Sequence, residues 1–331
     1  MIPTLDFHDV LPWQVKTWAV LKEYLDSDRV PQALLVNGLS GLGKFFLAQQ
    51  FSQTLLCQQR QENGLACFNC SACQLFAAET HPDFLPIQPE ETGKLITINQ
   101  IRGLLAQLCL KPQYQQYRAV VINPADQMHQ SAANAFLKCL EEPPERTVII
   151  LVADEISSLP ATIVSRCQQL SIAVPTTTIT QDWLQSNNIT NNADILVNIA
   201  LGAPLLAYNY SNDNLLAIRQ SCFTDWCAIA DKKDSPVQIA EKWFKLASDQ
   251  LLGWLLSWVM DLIKLRSTHD QVSLVNTDLL KSLQELAEGL KLKGLFRLYD
   301  LLLNSQRRFQ TQINKQLIYE EILIEWSNTR R

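Results

Sequence analysis

Gly38-Leu39-Ser40-Gly41-Leu42-Gly43-Lys44-Phe45 decides the reading of this chain. It has the G-x-x-x-x-G-K spacing of a loop that cradles phosphate, in which glycines let backbone N–H groups turn toward the anion and a lysine reaches the terminal phosphates. Gly38, Gly41, Gly43 and Lys44 are the candidate phosphate-binding residues. The hydroxyl that should follow the lysine and hold Mg²⁺ is replaced by Phe45, which has no oxygen to offer, and this argues against metal-assisted phosphoryl transfer. A glycine-rich turn with no ligand is the competing reading, and whether the loop holds a nucleotide or another anion stays open.

The flanks place the loop. Gln32 to Asn37 is a short apolar run of the kind that forms a buried parallel strand, and Phe46 to Leu56 has helical spacing of apolar residues. Upstream, Trp13 to Leu25 is amphipathic with helical period and ends near Asp28-Arg29-Val30-Pro31, so it should pack beside that strand. Downstream, further buried strands are expected at Phe84–Ile87, Arg118–Ile122, Thr147–Val152 and Gln169–Ile172, and helices at Ile96–Leu108, Gln130–Leu140 and Leu159–Cys167. Gln113 to Tyr117 is a polar loop. This alternation gives four or five strands in a parallel sheet covered on both faces.

Arg118–Ile122 ends where a nucleotidase strand would present Asp-Glu, the acid pair that holds Mg²⁺ and orients water. Here it ends Asn123-Pro124-Ala125-Asp126, and Asp126 stands three residues too far along to substitute with assurance. Phe45 and Pro124 are thus two separate losses for one reaction, which leaves little hydrolysis.

Cys57, Cys67, Cys70 and Cys73 follow the spacing C-x9-C-x2-C-x2-C. Four thiolates so close can close a tetrahedral zinc site, which with no open position would be structural. An iron–sulfur cluster, a redox pair and unligated cysteines are the alternatives; the Cys-Pro that usually completes a cluster motif is absent. His81 precedes Pro82-Asp83 and is read as a turn residue rather than a fifth ligand. Arg166 ends a helical segment, and taken alone it reads as a solvated or salt-bridged residue.

The chain has 331 residues, 47% of them hydrophobic, and a net charge of −5 from 28 basic and 33 acidic side chains. That length allows two or three domains, and that charge provides no general attraction to nucleic acid or membrane. Met1 to Asp6 carries no basic-then-apolar leader and no stretch approaches a bilayer span, so a cytoplasmic location is expected. Nine cysteines, an odd number, suit metal binding or free thiols better than a disulfide framework.

Taken together, the phosphate-loop remnant, the four-cysteine insertion, His81-Pro82-Asp83, Asn134 to Pro144 with its Leu-Lys-Cys-Leu-Glu-Glu-Pro-Pro run, and Ser165-Arg166-Cys167 resemble the bacterial clamp-loader subunits of DNA polymerase III, of the AAA+ class. The defects at Phe45, Asn123 and Pro124 resemble those of the family's non-hydrolysing member. The resemblance implies an α/β P-loop AAA+ domain with a parallel sheet over residues 1–174, including the zinc insertion 57–73. A small helical lid domain over 175–210 and an all-α collar over 211–331 would follow. It implies a hetero-pentamer with gamma/tau ATPase subunits and a delta subunit, which opens a sliding clamp and places it on primer-template DNA, with no membrane involved. It also implies that Arg166 is an arginine finger acting in trans on a neighbour's ATP, that zinc is structural, and that this chain is catalytically inert and binds ATP weakly or not at all. Where motor subunits carry an arginine after a Gly-Ser turn, this chain reads Gly202-Ala203-Pro204-Leu205-Leu206, so a third group that would touch a nucleotide is missing. An active ATPase motor with Asp126 recruited for Mg²⁺, and a zinc-stabilised DNA-binding adaptor, are the alternatives.

From Ser211 onward the pattern is helical, with Trp243 to Val259 apolar around most of a helix and two final helices expected at Leu279–Ser305 and Gln312–Trp326. Lys291, Lys293, Arg297, Arg307 and Arg308 are spread over helical faces and form no stripe for DNA.

Overall fold

The computed structural model describes residues 8–91, 93–113, 117–212, 215–246, 250–267, 274–309 and 314–329. The N-terminal segment Met1–Asp6, the middle of the polar loop at Tyr114–Gln116 and the start of the last expected helix at Gln312 lie outside them. The chain divides into two compact units, Met1–Trp183 with Ala203–Leu206, and Leu184–Gly202 with Ala207–Arg331.

In the first unit, β1 (Ala33–Asn37), β2 (Phe84–Ile87), β3 (Arg118–Ile122), β4 (Thr147–Ala153) and β5 (Gln168–Ser171) form one parallel sheet in the order β2-β3-β4-β1-β5. Helices α1 (Val15–Asp26), α2 (Lys44–Leu56), α3 (Ser71–Ala77), α4 (Ile98–Leu108), α5 (Gln130–Glu141) and the four-residue α6 (Ala161–Val164) accompany it. The central strands are buried on both faces, as their continuous apolar runs require. Period-two alternation splits them between two cores. Leu34, Val36, Val148, Ile150 and Val152 pack with Leu21, Leu47 and Phe51 of α1 and α2. Leu35, Val120, Ile122, Ile149 and Leu151 pack with Ile101, Leu104, Phe136 and Leu140 of α4 and α5. This is the parallel sheet covered on both faces that the alternation of strand and helix patterns predicts.

Two boundaries differ from expectation for local reasons. Ile96 does not begin α4: its N–H donates to the Gln127 carbonyl at 2.9 Å and its carbonyl accepts from His129 N–H at 3.0 Å. Thr97 is the N-cap instead, with Gln100 completing a capping box. The Leu159–Cys167 segment contains only the single turn of α6, because the chain must be extended again by Gln168 to enter the sheet.

Helices α7 (Thr177–Ser186), α8 (Ala193–Ile199) and α9 (Pro204–Asn212) follow, and then α10 (Leu215–Ala230), α11 (Pro236–Leu246), α12 (Leu251–Ser267), α13 (Leu280–Glu288), α14 (Leu292–Phe309) and α15 (Lys315–Asn328). The expected helix Leu279–Ser305 is two helices, α13 and α14. Gly289 caps α13 and the following Leu290 turns into the core, a break that glycine's poor helix propensity favours. The second unit is all helical among its described residues. Trp226 and Trp326 stack in its core with centroids 4.2 Å apart, and Trp326 Nε1–H donates to the Trp226 carbonyl at 2.9 Å. Among the described residues no helix is long and apolar enough to cross a membrane.

Candidate functional site

The phosphate-like loop leaves the C-terminal edge of β1, the position where open α/β sheets bind ligands, and α2 begins at its lysine. Gly38, Gly41 and Gly43 have φ of 148°, 81° and 73°, conformations that side chains rarely adopt. The cradle shape is therefore kept. A Cβ on Gly41 would lie 2.7 Å from Leu206 Cβ, and the Leu205 N–H donates to the Gly41 carbonyl at 3.1 Å. Leucines thus contact the loop at the place where the resemblance expects a motor's arginine.

Trp13 and Gln14, unsuspected from sequence, latch the loop from the N-terminal side. Trp13 Nε1–H donates to the Leu42 carbonyl at 2.9 Å, and Gln14 Nε2–H reaches the carbonyls of Leu42 and Gly43 at 2.7 and 2.9 Å. Phe45 packs against the α1/α2 core. Lys44 is buried; its ammonium donates to the Leu39 carbonyl at 2.7 Å and forms an ion pair with Asp154, the first residue after β4. An acid one residue beyond an apolar strand run is visible in the sequence, but its partner depends on β4 lying beside β1.

At the end of β3, Asn123 N–H donates to the Ile87 carbonyl at 3.0 Å. Asp126 Oδ2 accepts the N–H groups of Asp154 and Glu155 at 3.0 and 2.8 Å. Burial raises the Asp126 pKa above the ordinary carboxylate value, against the opposing pull of these N–H groups. That carboxylate anchors the β4 exit.

Arg166 stands just past α6, exposed. Its Nη1 donates to the Thr162 carbonyl at 2.9 Å and its Nη2 to Glu141 Oε1 at 2.5 Å. Glu141 belongs to the Leu-Glu-Glu-Pro-Pro run, so the structure joins two of the motifs found separately in the sequence.

The four cysteines come together, their Sγ atoms all within 4.8 Å of one another. Cys57 Sγ is 4.0 Å from Cys70 Sγ, and Cys67 Sγ is 3.9 Å from Cys73 Sγ. A tetrahedron of Zn–S bonds has edges of about 3.8 Å, so the spacing fits. Backbone N–H groups of Cys67, Cys70 and Cys73 point at Cys57, Cys67 and Cys70 sulfurs at 3.2, 3.3 and 3.5 Å. For Cys67, burial raises the thiol pKa but the N–H groups of Asn69 and Cys70 outweigh it, bringing it to about 6. Burial first, then the neighbouring sulfurs, push Cys73 far up. A bound cation would relieve the repulsion among thiolates packed this closely. His81 is not among them; its Nδ1 accepts the Asp83 N–H at 3.1 Å, the turn role expected.

Residues 13–176 match the family model "DNA polymerase III, delta subunit" and residues 213–328 match "DNA polymerase III, delta subunit, C terminal". DNA polymerase III subunit delta' of Pseudomonas aeruginosa is 30% identical over 97% of this chain and 98% of its own length. The chain belongs to the DNA polymerase III delta' family. The delta' subunit of Haemophilus influenzae is also 30% identical, over 79% of this chain and 80% of its own. A solved gamma subunit-related protein of Thermotoga maritima aligns over 96% of this chain and 100% of its own at 19% identity and a TM-score of 0.41.

Proposed function

We propose that the chain works as the delta' subunit of a replicative clamp loader: a member that does not hydrolyse ATP, assembles with gamma/tau and delta subunits, and helps place a sliding clamp on primed DNA. The observation that carries this reading is the contrast between its two conspicuous cations. Each is paired with an acid, but Lys44 is buried in its own loop, whereas Arg166 is exposed. A cation available only at the surface suits a group offered to a neighbour's nucleotide, where an arginine finger is worth about a thousandfold or more at the site it serves.

The four cysteines hold structural zinc in this reading, the donor set and the N–H···S bonds both suiting it. The division into an AAA+ domain to residue 174, a lid at 175–210 and a collar from 211, and a cytoplasmic location, belong to the same proposal. Asp126 is engaged by backbone N–H groups, which counts against its recruitment for Mg²⁺ in a working motor.

The test is DNA-stimulated ATPase of a loader reconstituted with its motor subunits. Arg166→Ala should lower the rate by the share of the site it serves, and Lys44→Ala should leave it unchanged. The reverse pattern would make this loop a working nucleotide site and sink the reading.

A further inference from the structure

The loop has kept its shape, so something other than shape must govern its ligands. Gly38, Gly41 and Gly43 hold the left-handed or extended positive-φ conformations of an anion cradle, and α2 starts behind it. Phe45 and Pro124 remove groups that would act on a nucleotide, and Phe45 packs into the α1/α2 core.

What has changed is the charge. β4 runs parallel to β1 with Ala153 beside Asn37, which brings Asp154 out of the sheet level with Gly38, where the loop starts. Its carboxylate pairs with the Lys44 ammonium. The lysine's other contact is the Leu39 carbonyl at 2.7 Å, so the side chain folds back over its own loop. The Lys44 side chain is 4% exposed and that of Asp154 is 49% exposed: the cation lies inside and the acid at the mouth. Asp154 does not hang loosely there, since Asp126 Oδ2 holds its N–H and that of Glu155.

We propose that Asp154 is the residue that keeps polyphosphates out of this loop, an internal anion standing on Lys44 in the place a phosphate would take and positioned by Asp126. The idea deepens the reading of the loop as silent and rests on it. An incoming phosphate has to displace a carboxylate already in contact and then sit beside it, so each negative charge it brings is met by repulsion and not by a free ammonium.

The experiment titrates inorganic tripolyphosphate, with and without Mg²⁺, into the full chain by isothermal calorimetry. Wild type, Asp154→Asn, Asp154→Ala and Asp154→Asn with Lys44→Ala are compared, each checked by its melting curve. Asn is nearly isosteric with Asp and keeps the backbone contacts to Asp126, and Ala serves as the second route should Asn retain the lysine through a hydrogen bond. The single variants should bind one equivalent at least about tenfold more tightly than wild type, and the gain should vanish when Lys44 is also removed. The proposal is overturned if the single variants, titrated below their own melting transitions where they are folded, still bind nothing, or if the gain survives loss of Lys44. Tight binding by the wild type itself would overturn it too, and only that outcome would also sink the silent-loop reading.

Discussion

Cys70→Ser separates the metal from the helix that the same residue caps. Cys70 is the N-cap of α3, its sulfur accepting the Cys73 N–H at 3.5 Å, and serine is a good N-cap, so this substitution keeps the local cap while removing one of four thiolates. If zinc binds the folded chain and not the unfolded one, it stabilises by about 2.7 kcal/mol when free metal is at a hundred times its dissociation constant and by about 4.1 at a thousand times. For a unit of roughly 150–250 residues each kcal/mol is about 2–4 °C, so loss of the site should lower the melting transition of the α/β unit by about 5–16 °C. The assay is calorimetric melting of the full chain with and without chelator, alongside colorimetric zinc release. Wild type should release one equivalent and show the shift on chelation. Cys70→Ser should already melt low and respond no further. Full zinc content in Cys70→Ser, or a wild-type chain whose melting ignores chelation, would refute the four-sulfur site.

Two further outcomes test the packing inside each unit. In the helical unit, buried Arg219 pairs with Asp278 at 2.6 and 3.2 Å and donates to Asn276 Oδ1 at 2.6 Å; Arg219→Met should cost about 3–5 kcal/mol in urea unfolding, and adding Asp278→Leu should recover much of it, since the loss comes from stranding an acid. In the α/β unit, burial lowers the His81 pKa against the opposing pull of Asp83; the unfolded chain then takes up a proton near pH 6.5 while the folded one does not, so stability should fall as pH drops through that value and level off below the folded pKa. His81→Gln should flatten that fall between pH 7 and pH 5, and an unaltered slope would assign it to other groups.

The sheet was legible because its central strands are buried on both faces and so read as unbroken apolar runs, Ala33–Asn37 and Thr147–Ala153 being the clearest. The four cysteines were legible for a different reason: their chemistry is local, within one short stretch. Pairings across the chain were not. Periodicity says which face a residue occupies and not which element lies opposite, so neither Lys44 with Asp154 nor Arg166 with Glu141 could be read before the order β4-β1-β5 and the packing of α5 on α6 were known. Trp13 and Gln14 looked like the start of an amphipathic helix, and their hydrogen bonds to the loop carbonyls depend on where that helix docks. The break at Gly289 was missed because Leu290 keeps the apolar period running through it.

Phe45, Leu205 and Leu206, in segments where the resemblance expects nucleotide-site groups, do structural work of their own, and so does Asp154 beside them. Phe45 joins the core, Leu205 and Leu206 close on Gly41, and Asp154 neutralises Lys44. Restoring one nucleotide-binding group would therefore also cost stability, which makes the loop a joint between β1, the Trp13–Gln14 turn and the Ala203–Leu206 segment as much as a relic of a binding site. Exposure separates the two ion pairs. Arg166 and Glu141 are 35% and 50% exposed, and exposed pairs contribute about 0–1 kcal/mol, so under the proposed function a neighbour's phosphate would need to displace very little to claim the arginine. Lys44 is shielded from water, and drawing it away from Asp154 leaves a buried ammonium to be compensated. On the proposed function, one cation can be lent across an interface and the other cannot.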